Sequence, residues 1–206
     1  MLYNVGTNTY TFTTATDPGV NRKGGKDVPL VLLGNNKVFI MGGLALPNNN
    51  VISLYGPISN TCVLPASPPY VQRANATATL LQDGNVLIVG GKNSLGTYET
   101  SAEIYNPISD TFSLITATLT TGRYKHRATL LADGKVLIAG GANATYAALD
   151  SLELYDPVSK TITTVGIMRT PRCYQEQVLM NDGRVLIMGG KDNNGIKLSS
   201  CEIYSP

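Results

Sequence analysis

The apolar positions of this chain fall into short runs of two kinds. Runs such as "KVLIAGG" (Lys135–Gly141) are apolar at nearly every position, which predicts strands covered on both faces. Runs such as "SLELYDP" (Ser151–Pro157) alternate apolar and polar residues, which predicts strands with one solvated face. Between them lie turn signals. "QDGN", "ADGK" and "NDGR" join "ATATLL", "RATLL" or their like to the fully apolar strand, and the Asp-Gly pair predicts a two-residue hairpin.

These runs recur. Near copies of Lys135–Gly141 stand at Lys37, Asn85 and Arg184, with glycine pairs at Gly42-Gly43, Gly90-Gly91, Gly140-Gly141 and Gly189-Gly190, spaced by 48, 50 and 49 residues. A second series, Tyr55, Tyr105, Tyr155 and Tyr204, keeps the same register. Each unit reads as four strands, a to d, that cannot bury both faces alone. Radial packing of such units is a β-propeller.

The glycine pair, the tyrosine 12 or 14 residues after it and the "TATLL-x-D-G-x-V-L-I-x-G-G" core resemble the kelch family over essentially the whole chain. The resemblance implies an all-β propeller of four kelch-type four-stranded antiparallel blades. In this reading residues 1–15 supply a closing strand and the repeats run 16–66, 67–117, 118–166 and 167–206. The family's strand-d tryptophan is missing, since the chain has no Trp. Tyr10, Cys62, Phe112 and Ile162 stand there instead. "LYNVGTNTYTF" aligns with "IYNPISDTFSL", so residues 9–14 are expected to pair with Cys201–Tyr204 and close the ring in a monomer. Two chains exchanging that strand, or a longer protein, are the alternatives.

Composition adds exclusions. A net charge of +2 with 15% charged residues gives no dedicated surface for nucleic acid or membrane. No apolar run reaches the length of a membrane span, and the N-terminus has no signal-peptide pattern, which leaves the compartment unknown. Three scattered cysteines form neither a disulfide framework nor a zinc motif, and no metal or cofactor is expected. Asn75 and Asn143 begin N-glycosylation triplets.

Candidate chemistry is sparse. One histidine, His126, is too few for the copper site of galactose-oxidase-like propellers. Arg73, Arg123 and Arg172 share one repeat position, where the resemblance to kelch adaptors of ubiquitin ligases implies a ring that grips acidic peptide. Glu103, Glu153 and Glu202 form a matching series, and the first repeat lacks both partners, with Gly25 and Ser53 in their places. The Arg and Glu series therefore also read as structural pairs. The b–c loops differ most, and Lys92, Tyr98, Tyr146, Lys191 and Asn194 are their binding candidates. The expected function is a non-catalytic module binding another protein. The alternative is a carbohydrate-binding or mutarotase-like carbohydrate-modifying propeller.

Overall fold

The computed structural model describes residues 2–4, 9–11, 28–42, 52–93 and 95–206. The protein is all-β, with its sheets arranged as the blades of a four-bladed propeller. Blade 1 holds β3 (Leu30–Leu32), β4 (Val38–Met41), β5 (Ile52–Gly56) and β6 (Thr61–Val63). Blade 2 holds β7 (Thr77–Leu80), β8 (Val86–Val89), β9 (Ala102–Asn106) and β10 (Thr111–Leu114). Blade 3 holds β11 (Arg127–Leu130), β12 (Val136–Ala139), β13 (Ser151–Asp156) and β14 (Thr161–Ile167). Blade 4 holds β15 (Glu176–Leu179), β16 (Val185–Met188) and β17 (Cys201–Tyr204). Every pairing within a blade is antiparallel between neighbours in sequence. Among the described residues no helix is long and apolar enough to cross a membrane.

The fully apolar runs are the second strands of the blades. In β8 and β12 all four residues are buried, because the sheet is covered on both sides by neighbouring blades. Each interface is one apolar cluster built from opposite faces of successive sheets. Val31, Phe39, Met41, Ile52 and Leu54 of blade 1 meet Val86, Ile88, Tyr105 and Phe112 of blade 2. Leu87, Val89 and Ala102 of blade 2 meet Val136, Ile138 and Tyr155 of blade 3, and Leu137, Ala139 and Leu152 of blade 3 meet Val185 and Ile187 of blade 4. Phe112 fills the place expected for tryptophan, with its ring 4.8 Å from Tyr105.

The glycine pairs act between blades. The N–H of Gly91 donates to the carbonyl of Arg123 at 2.8 Å, and that of Gly141 to the carbonyl of Arg172 at 2.9 Å. Both glycines have positive φ. A side chain on Gly90 would stand 2.7 Å from the Arg123 oxygen, so the next blade packs directly against glycine backbone.

Two expectations are corrected. Thr9–Thr11 (β2) pairs with Leu2–Asn4 (β1) in the register Leu2↔Thr11, rather than with Cys201–Tyr204, and among the described residues β17 has β16 as its one sheet neighbour, so blade 4 shows three strands there. The similarity to "IYNPISDTFSL" is real, but what it carries is a c–turn–d hairpin, whose partner lies a few residues away. Local closure sacrifices far less chain entropy than pairing across the whole ring. Residues 12–14, part of the expected closing strand, and the loop at 44–50 lie outside the described residues. The a–b turns also differ from a two-residue hairpin. Leu81 N–H donates to the Asn85 carbonyl and Gly84 N–H to the Leu81 carbonyl, leaving Gln82, Asp83 and Gly84 as a three-residue loop. Only the glycine takes positive φ, at 84°, while Asp83 accepts the Asn85 N–H at 3.0 Å.

Candidate functional site: the loop face of the propeller

The segments entering each first strand and the b–c loops share one end of the blades. Here the three arginines point into their own blades. Arg73 Nη2 donates to Glu103 at 2.7 Å, and Arg172 Nη2 to Glu202 at 2.6 Å; Arg123 binds Glu153 in the same way. The rest of each guanidinium repeats one pattern. Arg73 donates to the carbonyls of Val71, Gly90 and Ser101 and to the Ser101 hydroxyl. Arg123 and Arg172 do the same through Thr121, Gly140 and Ser151, and through Thr170, Gly189 and Ser200. All five N–H groups of each fork are thereby used.

The carboxylates hold the incoming chain. Glu103 accepts from the N–H groups of Tyr70 and Val71, Glu153 from the N–H and hydroxyl of Thr120, and Glu202 from the N–H groups of Arg169 and Thr170. Burial acts to raise the Glu202 carboxyl, and the bonds from Arg169, Arg172 and Thr170 outweigh it, holding the group below its ordinary value. Each Arg–Glu pair is a staple that fixes how the chain enters its blade.

His126 lies in the seam between blades 2 and 3. It is 1% exposed, and its Nε2 stands 3.0 Å from the Thr77 hydroxyl. Burial, then the nearby Arg123, Arg127 and Arg73, push its pKa down to about 3. Gln175 takes the same position in blade 4 and donates to the Ala139 carbonyl at 2.7 Å.

The b–c loops differ in sequence but share a frame. Asn93 Oδ1 accepts the N–H groups of Leu95 and Thr97, Asn143 Oδ1 those of Thr145 and Ala147, and Asp192 Oδ1 those of Asn194 and Ile196. This Asn or Asp stands two residues after the second glycine in each case. The side chain organises a tight loop as an Asx turn does. Three residues further on, the chain takes positive φ at Gly96 (87°), Tyr146 (63°) and Gly195 (74°). A tyrosine thus occupies a conformation that the other two loops give to glycine.

Tyr146 is 67% exposed and completes a trio of rings with Tyr98 and Tyr124. Tyr98 and Tyr124 meet edge-to-face at 4.9 Å, and Tyr146 lies 6.3 Å from the first and 6.4 Å from the second. Ammonium groups continue the array. Lys92 Nζ is 5.0 Å from the Tyr98 ring, Lys125 Nζ is 4.5 Å from Tyr124 and 4.2 Å from Tyr174, and Lys191 Nζ is 5.8 Å from Tyr174. Rings and cations therefore alternate along one face, each lysine restrained by an aromatic surface. Burial first, then the neighbouring Tyr98, Tyr174 and Tyr146, push the Tyr124 phenol up, so it is protonated throughout the physiological range. A depression of about 500 Å3 adjoins Tyr98, lined also by Thr97, Asn143 and Thr145.

Of the sequence candidates, Lys92, Tyr98, Tyr146 and Lys191 come together in this array. Asn194 is exposed in its own loop, where its N–H serves the Asp192 turn. Lys125, Tyr124 and Tyr174 escaped the sequence reading. A signal existed, because Asn75, Lys125 and Tyr174 each follow a repeat arginine by two residues. All three have positive φ, and their backbones link in series, Lys125 N–H to Asn75 O and Tyr174 N–H to Lys125 O.

Fold and repeated staples define a β-propeller whose blades are stitched by Arg–Glu pairs and glycine backbone. The Kelch motif matches residues 73–117, from the stapling Arg73 through strand β10, and blade 3 repeats the arginine's hydrogen bonds. The chain is thus a β-propeller that is similar to the kelch family over this one motif, and propellers of that family commonly bind other proteins. No curated protein matches the chain.

Proposed function

We propose that this propeller is a non-catalytic protein-binding module whose contact surface is the loop face around Tyr146. The carrying observation is Tyr146 itself. A bulky residue at φ 63° costs on the order of 1–3 kcal/mol, and such strain clusters at binding and switch sites. Tyr146 is largely exposed beside the rings of Tyr98 and Tyr124, and tyrosine is among the residue types that anchor protein contacts. The chain's one histidine is buried in a blade seam with a pKa near 3, which supports a role without acid–base chemistry. The arginine ring suggested by the resemblance has its donors occupied by Glu103, Glu153 and Glu202, so the proposal places anion attraction on Lys92, Lys125 and Lys191 instead.

The depression beside Tyr98 favours a glycan as the second reading, since aromatic faces with neighbouring Asn and Thr suit sugar rings. A glycan array run alongside affinity capture separates the two. Capture of a protein partner that is lost in Tyr146→Ala, with an empty array, supports the first reading. Array signals that vanish with Tyr98→Ala support the second and overturn the first.

A further inference from the structure

The repeat tyrosine of blades 1 and 2 has its hydroxyl bound by the c–d turn that follows. Tyr55 donates to Asn60 Oδ1 at 3.2 Å, and Tyr105 donates to Asp110 Oδ1 at 2.7 Å. The other oxygen of Asp110 accepts the N–H of Ala66 at 2.9 Å, so one carboxylate ties blade 2 to the segment leaving blade 1. Asn60 and Asp110 take positive φ, 53° and 55°, which these two residue types tolerate well.

Blade 3 lacks this carboxylate. Lys160 stands at the position with the same φ of 55°, a conformation that costs a lysine more than Asn or Asp. Both donors that the carboxylate would hold are left over. The hydroxyl of Tyr155, a residue only 2% exposed, has no acceptor among the described residues. Neither has the N–H of Thr116, which precedes Arg123 by seven residues as Ala66 precedes Arg73. Burial first, then Asp83 and Asp156, push the Tyr155 phenol up, so it keeps its proton and is able to donate.

Tyr155, Thr116 and Lys160 line one depression of about 520 Å3 between blades 2 and 3, with Leu81 and Ile104 on its apolar wall. Asp83 lines it as well, and its carboxylate is held by the Asn85 N–H at 3.0 Å and Nδ2 at 2.7 Å. One lysine facing one aspartate suits a single added negative charge and disfavours a second.

We propose that this depression binds a monocarboxylate with a short apolar body, whose carboxylate takes the place that Asp110 fills in blade 2. It accepts from the Tyr155 hydroxyl and the Thr116 N–H, Lys160 supplies the opposite charge, and Leu81 and Ile104 cover the apolar part. The site lies at the a–b and c–d turns, away from the loop face, and is independent of the protein contact proposed there.

The test is thermal melting of the chain at constant ionic strength with sodium butyrate, its neutral isostere butyramide and N-acetylvaline as probes. Butyrate should raise the melting temperature of the wild type and butyramide should not. Lys160→Asp, which copies Asp110, should melt above the wild type without any probe and should no longer respond to butyrate, because its own carboxylate fills the site. Tyr155→Phe should weaken butyrate binding about tenfold, the effect of one hydrogen bond to a charged group. It should also cancel most of the gain from Lys160→Asp when the two are combined. A stronger response to N-acetylvaline than to butyrate supports the site with its carboxylate drawn from a peptide terminus, and the reverse supports it with a free acid. No butyrate response in the wild type, an equal response in Lys160→Asp, or a Lys160→Asp protein that melts below the wild type overturns the proposal.

Discussion

The N–H of Gly141 donates to the carbonyl of Arg172 at 2.9 Å, joining blade 3 to the residue that staples blade 4. One backbone bond thus couples the packing between blades to the Arg–Glu frame within a blade. Blades 2 and 3 make the same link through Gly91 and Arg123. The glycine pair is accordingly a property of the interface more than of its own strand.

Gly140→Ala and Gly189→Ala should separate these roles. The two glycines have nearly the same φ, 59° and 64°. A side chain on Gly140 would meet the Arg172 oxygen at 2.5 Å and the Gln175 amide at 2.7 Å, whereas on Gly189 the nearest atom is 3.7 Å away. The first substitution is expected to cost about 2–4 kcal/mol and the second about 1 kcal/mol, the cost of left-handed backbone alone. Urea unfolding of both variants checks the difference.

Breaking one staple should be worse than removing it. Glu153→Ala leaves the Arg123 guanidinium buried beside no carboxylate, a loss of about 3–5 kcal/mol. The double variant Arg123→Met, Glu153→Leu should recover part of that loss. Glu202→Ala should be milder, because Glu202 is 22% exposed and water reaches the stranded cation. Chemical denaturation of the three proteins orders them.

Acid should act through His126. Its pKa is about 3 in the fold against 6.5 for the free side chain, so the unfolded chain binds the proton first. Stability from this residue is intact above pH 6.5 and declines toward pH 3, by at most about 1.4 kcal/mol per pH unit. His126→Gln, which copies Gln175 of blade 4, should flatten the melting temperature between pH 6.5 and pH 4.

Tyr146→Gly should raise stability or leave it unchanged while abolishing partner capture. Glycine removes the positive-φ penalty of roughly 1 kcal/mol, and the lost ring is largely solvent-facing. Thermal melts and capture assays on one preparation read both effects.

Much of this was legible in the sequence, because a propeller states its rules several times over. The apolar run of Val136–Ala139 announces a strand covered twice, and the joint presence of Arg123 and Glu153, against Gly25 and Ser53 in the first repeat, announces a pair. Ring closure was not legible. "LYNVGTNTYTF" specifies a hairpin, and the same residues suit a local partner and a distant one. Lys125 and Tyr174 were hidden for another reason. Their types differ from repeat to repeat, and only their shared backbone conformation places them at the mouth. The Asn and Asp residues that frame the b–c loops were masked by the variability around them.

The most direct test of the account is quantitative capture with three proteins: wild type, a loop-face variant (Tyr146→Ala, Lys125→Ala) and an opposite-face variant (Asp83→Ala, Lys160→Ala) at the a–b and c–d turns. The account predicts that the partner held by the wild type is lost from the loop-face variant and retained by the opposite-face variant. Retention by the first and loss from the second would contradict it.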